Sequence, residues 1–227
     1  MPTAPISLSG LLPMIHHYID LKKGDYIFRE GDLANELYIV CSGKVQLSKI
    51  TPEGRELSLR ICDKEDLFGE VIPFQSFTKC ALSAKMMEDG RLAVIPQQTL
   101  EEKLTIDHSF ALEFMQWMNL QFRRTQTKIR DLILHGKKGA LYSTLIRLAN
   151  SYGVETENGI LIDLPLTNQE LANFCGSARE VINRLLKGLK EDEIISVNKG
   201  KITIHNLQYL KDEIHCEGCP IDICNIN

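Results

Sequence analysis

Three of the seven cysteines lie in the last dozen residues, within the segment HCEGCPIDICNIN. Cys216, Cys219 and Cys224 form the pattern CxxCxxxxC. Thiolates are soft ligands that suit iron-sulfur clusters and zinc. Gly218 and Pro220 free the segment from helical constraint, so it can wrap around a metal group. The tail therefore predicts either a metal centre or a set of reactive thiols.

The remaining composition is that of an ordinary globular protein in a reducing compartment. Of 227 residues, 44% are hydrophobic and 25% are charged, and no apolar run approaches the ~20 residues of a membrane span. The N-terminus lacks the basic and apolar regions of a secretory signal. We expect two domains, a cytoplasmic location, no membrane association and, because the cysteines are odd in number and unevenly spaced, no disulfide framework.

The net charge is −4, yet residues 121–147 are strongly basic and contain a single acid, Asp131. Such a segment is typical either of a surface that faces phosphates or of a solvated helix face. Its basic members are Arg123, Arg124, Lys128, Arg130, Lys137, Lys138 and Arg147.

The stretch LPLTNQELANFCGSAREVINRLLKGLKEDEIISVNKGKITI predicts a winged helix-turn-helix. Thr167 with Glu170, and Ser177 with Glu180, are spaced as capping boxes that begin two short helices, and Gly176 lies between them. The segment that follows, with a turn at 198–201, has the pattern of a β-wing whose Lys199 and Lys201 would contact phosphates.

The second of these helices has two distinct faces at 100° per residue. Apolar residues occupy one arc, and the opposite arc carries Arg179, Glu180, Asn183, Arg184 and Lys187. Arginine can read guanine and glutamate can read cytosine in the major groove. We therefore expect this face to read DNA, with Thr167 and Ser177 beside it, although Glu180 could serve only its capping box.

Upstream, residues 21–96 alternate apolar and polar positions between glycine turns, which predicts a β-roll with a hairpin at Ser42–Gly43. From Asp107 the sequence predicts one long helix, followed by a break at 135–138 and a second helix from Gly139. The long helix outreaches a small domain, so we expect its aromatic half to pack against a second copy. The alternative is that this half packs on its own β unit. Its apolar members are Phe110, Phe114, Trp117, Met118 and Leu120.

This order of elements resembles the CRP/FNR family of bacterial transcription regulators over nearly the whole chain. The matching motifs are EGD at 30–32, SGKV at 42–45, FGE at 68–70 and LTNQELANFCGSAREVINRLLKGL. The resemblance implies an α+β fold: an N-terminal jelly roll of the cyclic-nucleotide-binding type, a long dimerisation helix and a C-terminal winged helix-turn-helix. It also implies a homodimer, a palindromic double-stranded DNA operator with TGTGA-like half-sites, and RNA polymerase as a partner.

The cyclic-nucleotide site of the cyclic-AMP receptor branch is only half kept. Its Gly-Glu pair is present as Gly69 and Glu70, but Cys80 and Ala81 replace the Arg-Ser pair that holds the phosphate. Without the positive charge we expect no cyclic-nucleotide cofactor and interpret FGE as a structural turn.

The cysteine tail resembles that of the FNR proteins of Bacillus and relatives. In that group three C-terminal cysteines and an aspartate hold a [4Fe-4S] cluster. The resemblance implies Cys216, Cys219, Cys224 and Asp131 as ligands here. The residues alone favour a simpler role for Asp131, in ion pairs with basic neighbours three or four positions away on the helix. His135, one turn further on, is the reserve candidate for the fourth ligand. The resemblance thereby implies an oxygen-responsive regulator of anaerobic metabolism.

Two other interpretations of the tail keep the DNA binding. One is a structural zinc site with His215 or His205 as fourth ligand; the other is a thiol switch. Catalysis is not expected, because the chain lacks a phosphate-binding GKS or GKT loop and Cys175 suits a small core position. The domains are expected at 1–106 (roll), 107–136 (helix and hinge), 137–215 (DNA binding) and 216–227 (cluster tail).

Overall fold

The computed structural model describes residues 8–227, which form two compact units. The first contains residues 8–54, 59–121 and 227, and the second contains residues 55–58 and 122–226. The long helix α3 (His108–Leu134) contributes its first half to one unit and its second half to the other. The cysteine tail belongs to the second unit, together with the winged helix.

In the described part of the first unit, eight strands form two four-stranded sheets. The sheets have the strand orders β1-β8-β3-β6 and β2-β7-β4-β5. The strands are β1 (His17–Leu21), β2 (Tyr26–Phe28), β3 (Glu36–Ser42), β4 (Val45–Ile50), β5 (Glu56–Cys62), β6 (Leu67–Phe68), β7 (Ser83–Met86) and β8 (Gly90–Pro96). The helices are α1 (Leu8–Leu11), a 3-10 turn at Leu12–Met14, α2 (Gln97–Ile106) and the start of α3.

The predicted hairpin at Ser42–Gly43 is wrong. Strand β3 pairs with β8 and β6, whereas β4 lies in the other sheet beside β7. The turn therefore connects two sheets, as in a jelly roll. Gly43 has φ +84°, and a Cβ there would lie 2.9 Å from the Asp89 carbonyl oxygen, so only glycine fits this close crossing.

The aromatic half of α3 packs on its own roll, which corrects the expectation that it faces a second copy. Phe110 and Phe114 are buried in a cluster with Ile95 and Leu100. The Phe114 and Trp117 rings lie 5.5 Å apart. Aromatic rings bury a large apolar area, so they pack against the nearest apolar surface, which here is the roll.

The second unit is a helical scaffold with a four-stranded sheet of order β11-β12-β10-β9. Helix α4 begins at Gly136, three residues earlier than predicted, because the break after α3 is confined to His135. Its middle, residues 139–149, is buried all round. The elements are α4 (Gly136–Tyr152), β9 (Gly153–Thr156), β10 (Gly159–Ile162), α5 (Asn168–Phe174), α6 (Arg179–Glu191), β11 (Ile195–Asn198), β12 (Lys201–Ile204) and α7 (Leu207–Glu213).

Within the described chain, none of the helices combines the length and apolar character needed to cross a bilayer.

Candidate functional sites: the recognition helix and the cysteine tail

Helix α5 begins with the predicted capping box. The Thr167 hydroxyl accepts a hydrogen bond from the Glu170 backbone N–H, and the Glu170 carboxylate accepts one from the Thr167 backbone N–H at 2.7 Å. Gly176, with φ +52°, makes the turn toward α6, and Lys137 Nζ donates to its carbonyl oxygen at 2.7 Å. These contacts fix the turn that sets the direction of α6.

The second predicted capping box is not formed. Helix α6 begins at Arg179 with Ala178 as its N-cap and without a side-chain cap. Ser177 lies one position too early for the role, and its backbone N–H donates instead to the Ala172 carbonyl oxygen. Glu180 is therefore released from the capping duty that competed with its role on the exposed face.

The two faces of α6 agree with the prediction. Ile182, Leu186 and Leu189 are buried, whereas Arg179, Glu180, Asn183, Arg184 and Lys187 are exposed. On the exposed face, Asn183 Oδ1 accepts a hydrogen bond from Asn168 Nδ2 at 2.6 Å, and Lys187 lies 3.5 Å from Glu191. The helix thus offers a polar surface whose N-terminal end carries one acid and two arginines.

The wing is a two-residue hairpin between β11 and β12. Asn198 pairs with Lys201, and Lys199 and Gly200 have φ +48° and +79°, which is the type I′ geometry that suits strand twist. Lys199 is exposed at its tip. Lys201 forms an ion pair with Asp163 at 2.5 Å, so its charge is already balanced.

In the roll, Glu70 stabilises a turn. Its carboxylate accepts hydrogen bonds from the backbone N–H groups of Ala81, at 2.5 Å, and Leu82, at 2.8 Å. Gly69, at φ +140°, approaches the Glu36 carbonyl so closely that a Cβ would lie 2.8 Å from its oxygen. Burial raises the pKa of the neighbouring Cys80 thiol to about 11, so this side chain stays neutral, and a thiol has no positive charge to offer a phosphate.

The cysteine tail packs against α3 and α4 through its own backbone. Asp222 and Cys224 offer their carbonyl oxygens to Arg124, at 2.7 Å, and Asn150, at 2.6 Å. Ile223 and Ile226 are 7% and 2% exposed. The tail is therefore an integral layer of the second unit.

The three tail cysteines and Asp131 line one cavity of about 170 Å³. Its wall comes from the end of α3, the face of α4 and the tail. The other lining residues are Arg130, Leu134, His135, Ser143, Ile146, Arg147, Ile214, His215 and Glu217. This volume is many times the ~10–15 Å³ that admits one water molecule, so the cavity has room for a polyatomic group.

Asp131 is 5% exposed and has hydrogen-bond donors on both carboxylate oxygens. Oδ2 accepts from the Ser143 hydroxyl at 2.6 Å and from Arg147 at 2.8 Å, and Oδ1 accepts from Arg130 at 2.8 and 3.0 Å. Burial alone would raise the pKa of Asp131, but the hydrogen bonds from Arg147, Ser143 and Arg130 outweigh it and hold the pKa below its ordinary value. The carboxylate is therefore ionised.

Positive charge surrounds the thiols as well. Burial raises the pKa of Cys224, and the nearby Arg147 guanidinium opposes that rise. Arg130, on α3, forms ion pairs with its neighbour Asp131 and with Glu217 of the tail. Two guanidinium groups can thus balance the negative charge of thiolates and a carboxylate.

Among residues 8–227, no three His, Cys, Asp or Glu side chains converge closely enough to hold one metal ion. His205 is occupied elsewhere, because its two ring nitrogens contact the Asn158 carbonyl and the Ser196 hydroxyl. His215 and His135 do line the cavity with the cysteines. A single zinc ion requires its ligands around one point, whereas the ligands of a cluster bind different iron atoms and lie further apart.

The basic segment is not a uniform solvated or phosphate-facing surface. Lys128 and Arg147 are 8% and 2% exposed. Arg124 and Arg130 bind the tail. Sequence reasoning missed Ser143 and Arg147 as partners of Asp131, although one signal was present: Arg147 is the only charged residue in the apolar run from 139 to 149.

Two family profiles match the chain. The cyclic nucleotide-binding domain matches residues 18–107, and the Crp-like helix-turn-helix domain matches residues 139–213. The first match covers the strands of the roll from β1 to β8.

Known proteins match over most of their length. The chain is 50% identical to the anaerobic regulatory protein of Bacillus subtilis (strain 168) over 221 residues, 97% of this chain and 93% of that protein. A CooA mutant from Carboxydothermus hydrogenoformans shares the fold with TM-score 0.77 at 22% identity, over 90% of each chain. FixK2 from Bradyrhizobium japonicum shares it with TM-score 0.74 at 19% identity, over 86% of this chain and 96% of that one.

Proposed function

This chain belongs to the CRP/FNR family of DNA-binding transcription regulators, and on that premise we propose that it is an oxygen-responsive regulator of anaerobic metabolism. In this proposal a homodimer in the cytoplasm binds a palindromic operator with TGTGA-like half-sites and contacts RNA polymerase. Its signal is the presence or loss of a [4Fe-4S] cluster held by Cys216, Cys219, Cys224 and Asp131.

The observation that carries the proposal is the common cavity of the three tail cysteines and Asp131. Residues 85 or more positions apart in the sequence meet there only because the tail folds back on α3 and α4. The donor set also fits: three soft thiols and an ionised carboxylate, with two guanidinium groups beside them. The likeness to the Bacillus subtilis anaerobic regulatory protein supports the same assignment.

When bound, the cluster would supply an inorganic core that reacts with oxygen. The chain's own residues would transmit its presence. Asp131 lies near the end of α3, Arg147 lies on α4 and the cysteines lie on the tail, so ligands held together fix these three segments relative to one another. Since α6 belongs to the same unit as α4, its orientation relative to α3 would depend on that arrangement.

DNA reading would fall to the exposed face of α6. Arg179, Glu180 and Arg184 would contact base edges, while Asn183, Lys187 and the wing residue Lys199 would add backbone contacts. Thr167 and Ser177 flank the turn and would contact phosphates. Lys201 is a weaker candidate because Asp163 already pairs with it.

The deciding experiment is iron and sulfide analysis of protein purified without oxygen. We expect about four of each per protomer and a brown colour in the wild type. Cys219→Ser and Asp131→Asn should lower the iron content, whereas Cys41→Ser, a half-buried cysteine of the roll, should not. Colourless protein with stoichiometric zinc would instead indicate a zinc site. Protein with neither metal would leave a thiol switch.

A further inference from the structure

The two oxygens of Asp131 have unlike surroundings. Oδ2 is held by Ser143 and Arg147, at 2.6 and 2.8 Å. Oδ1 accepts two hydrogen bonds from Arg130, through two N–H groups. The carboxylate thus has one side directed to α4 and the other toward its neighbour on α3.

The Oδ2 side is fixed by burial. The Arg147 side chain is 2% exposed, and its remaining nitrogens donate to the Ser143 hydroxyl and to the Ile223 carbonyl oxygen, at 3.3 and 3.2 Å. One planar guanidinium therefore spans the carboxylate of Asp131 and the peptide group that precedes Cys224. A buried cation that lost its carboxylate would be uncompensated, so this side does not open at low cost.

The partner of Oδ1, Arg130, is less buried than the partner of Oδ2, Arg147. The Arg130 side chain is 29% exposed and also pairs with Glu217, which lies between Cys216 and Cys219. Arg130 can leave Oδ1 and keep Glu217 as its partner, so its departure leaves no buried charge unpaired.

We propose that Asp131 ligates iron through Oδ1, that Arg130 competes with iron for this oxygen, and that Ser143 and Arg147 are positioning residues that hold Oδ2 throughout. This inference rests on the proposed function. Ligation would replace the two Arg130 hydrogen bonds to Oδ1 by a bond between Oδ1 and iron.

The two arginines then have opposite effects although both bind the same carboxylate. Removal of Arg130 takes away a competitor, and although its contact with Glu217 is lost, Arg147 still holds the tail at the Ile223 carbonyl oxygen, so the cluster should be retained longer. Removal of Arg147 loosens both Asp131 and the tail, so the cluster should be lost faster. A general role in charge balance would instead make both substitutions harmful.

The test uses Arg130→Gln, Arg147→Gln and the control Arg123→Gln, which removes the same charge from an exposed position of α3. The first readout is the rate at which the iron-sulfur absorbance decays in air-saturated buffer. We expect decay several-fold slower than wild type in Arg130→Gln, several-fold faster in Arg147→Gln, and unchanged in Arg123→Gln.

The second readout needs no cluster. In protein stripped with a chelator, Arg130 links α3 to the tail through Glu217, so Arg130→Gln should speed hydrogen exchange across residues 216–224 while Arg123→Gln should not. The substitution Arg130→Lys keeps a positive charge that can pair with Glu217 but lacks the planar guanidinium that directs two N–H groups to Oδ1. The iron-sulfur absorbance of this variant should therefore decay slowly, while hydrogen exchange across residues 216–224 stays close to wild type.

The outcomes separate the two hypotheses. Wild-type protein without iron and sulfide would overturn the proposed function and this inference with it. A wild type that holds the cluster, with Arg130→Gln decaying as fast as wild type or faster, would overturn the division of oxygens alone. Should Arg147→Gln fail to fold, Arg130→Gln and Arg130→Lys still decide the question.

Discussion

At the scale of single residues, the second unit contains two buried cations with different compensation. Arg147 is balanced by Asp131 at 2.8 Å. The Lys128 amine donates a hydrogen bond to the Ser58 carbonyl oxygen at 2.8 Å and lies 4.8 Å from the centre of the Phe174 ring. Desolvation by burial, helped by the positive charge of the nearby Arg147, lowers the pKa of Lys128 to about 7.

This lowered pKa gives a pH-dependent stability. The unfolded chain has the ordinary lysine pKa of 10.5, so between pH 7 and 10.5 it binds more protons than the folded protein does. Folding stability should therefore rise with pH across this window, by up to about 1.4 kcal/mol per pH unit, and be lowest below pH 7. Lys128→Met should raise the melting temperature at pH 7 and flatten its rise toward pH 9, as measured by circular dichroism.

The matched control is Lys190→Met, an exposed lysine of α6, which should leave the profile unchanged. A Lys128→Met protein with the wild-type slope between pH 7 and 9 would show that another group titrates.

Arg179 and Lys199 are expected to contribute differently to DNA binding. Arg179→Ala should cost about 1–3 kcal/mol on a palindromic TGTGA site and relax preference at one base pair, because a base-edge contact is lost. Lys199→Ala should weaken specific and random DNA alike and reduce the salt slope by about 1, because it removes a phosphate contact. Fluorescence anisotropy at several salt concentrations measures both. Equal losses on both DNAs for Arg179→Ala would remove it from base reading.

At the scale of elements, local patterns predicted the strands and helices but not their partners. The period-2 runs around Ser42–Gly43 marked two strands correctly, yet the same pattern fits a hairpin and a corner between sheets. Only the crossing at Gly43 decides between them. The Thr167 capping box was predictable because its contacts span three residues. The start of α6 at Arg179 depends on the turn before it, so the pattern at Ser177 predicted the N-cap one residue too early.

Helix α3 shows the same limit, since Phe110 and Phe114 are buried on the roll while a second apolar stripe is exposed. Met115, Phe122 and Ile129 recur every seven residues and are 56%, 60% and 48% exposed. A seven-residue apolar repeat is the pattern of a two-stranded coiled coil. We expect this stripe, rather than the one that contains Phe110 and Phe114, to join two copies.

Phe122→Asp should therefore convert dimers to monomers. A two-fold interface loses both copies of the side chain, about 3 kcal/mol or more, and gains two buried charges. Sedimentation equilibrium measures the change. The control Phe77→Asp alters a phenylalanine that is 89% exposed on the roll and should leave the dimer intact. A dimeric Phe122→Asp protein would place the interface elsewhere.

At the scale of the whole molecule, the sequence identified the ligand candidates but could not bring them together. The spacing CxxCxxxxC is local, so the three cysteines could be recognised as a set. The pairing of the tail with Asp131 came from family resemblance alone, because the contacts that create it are carbonyl oxygens of the tail bound by Arg124, Arg147 and Asn150. Every residue has a backbone carbonyl oxygen, so the acceptors of these hydrogen bonds cannot be recognised in the sequence.

If the cluster holds α3 and the tail together, and Arg147 of α4 binds both, the two recognition helices of a dimer should accept only one half-site spacing. We expect protein with its cluster to bind a TGTGA palindrome tightly and to lose most of that affinity when about five base pairs, half a helical turn, are inserted between the half-sites. Chelator-stripped protein and Cys219→Ser should bind both DNAs weakly and equally, while sedimentation still reports dimers. Cys41→Ser should behave as wild type. Equal discrimination between the two spacings with and without the cluster would mean that the tail does not set the distance between the helices, since the restriction would then come from the α3 contact itself.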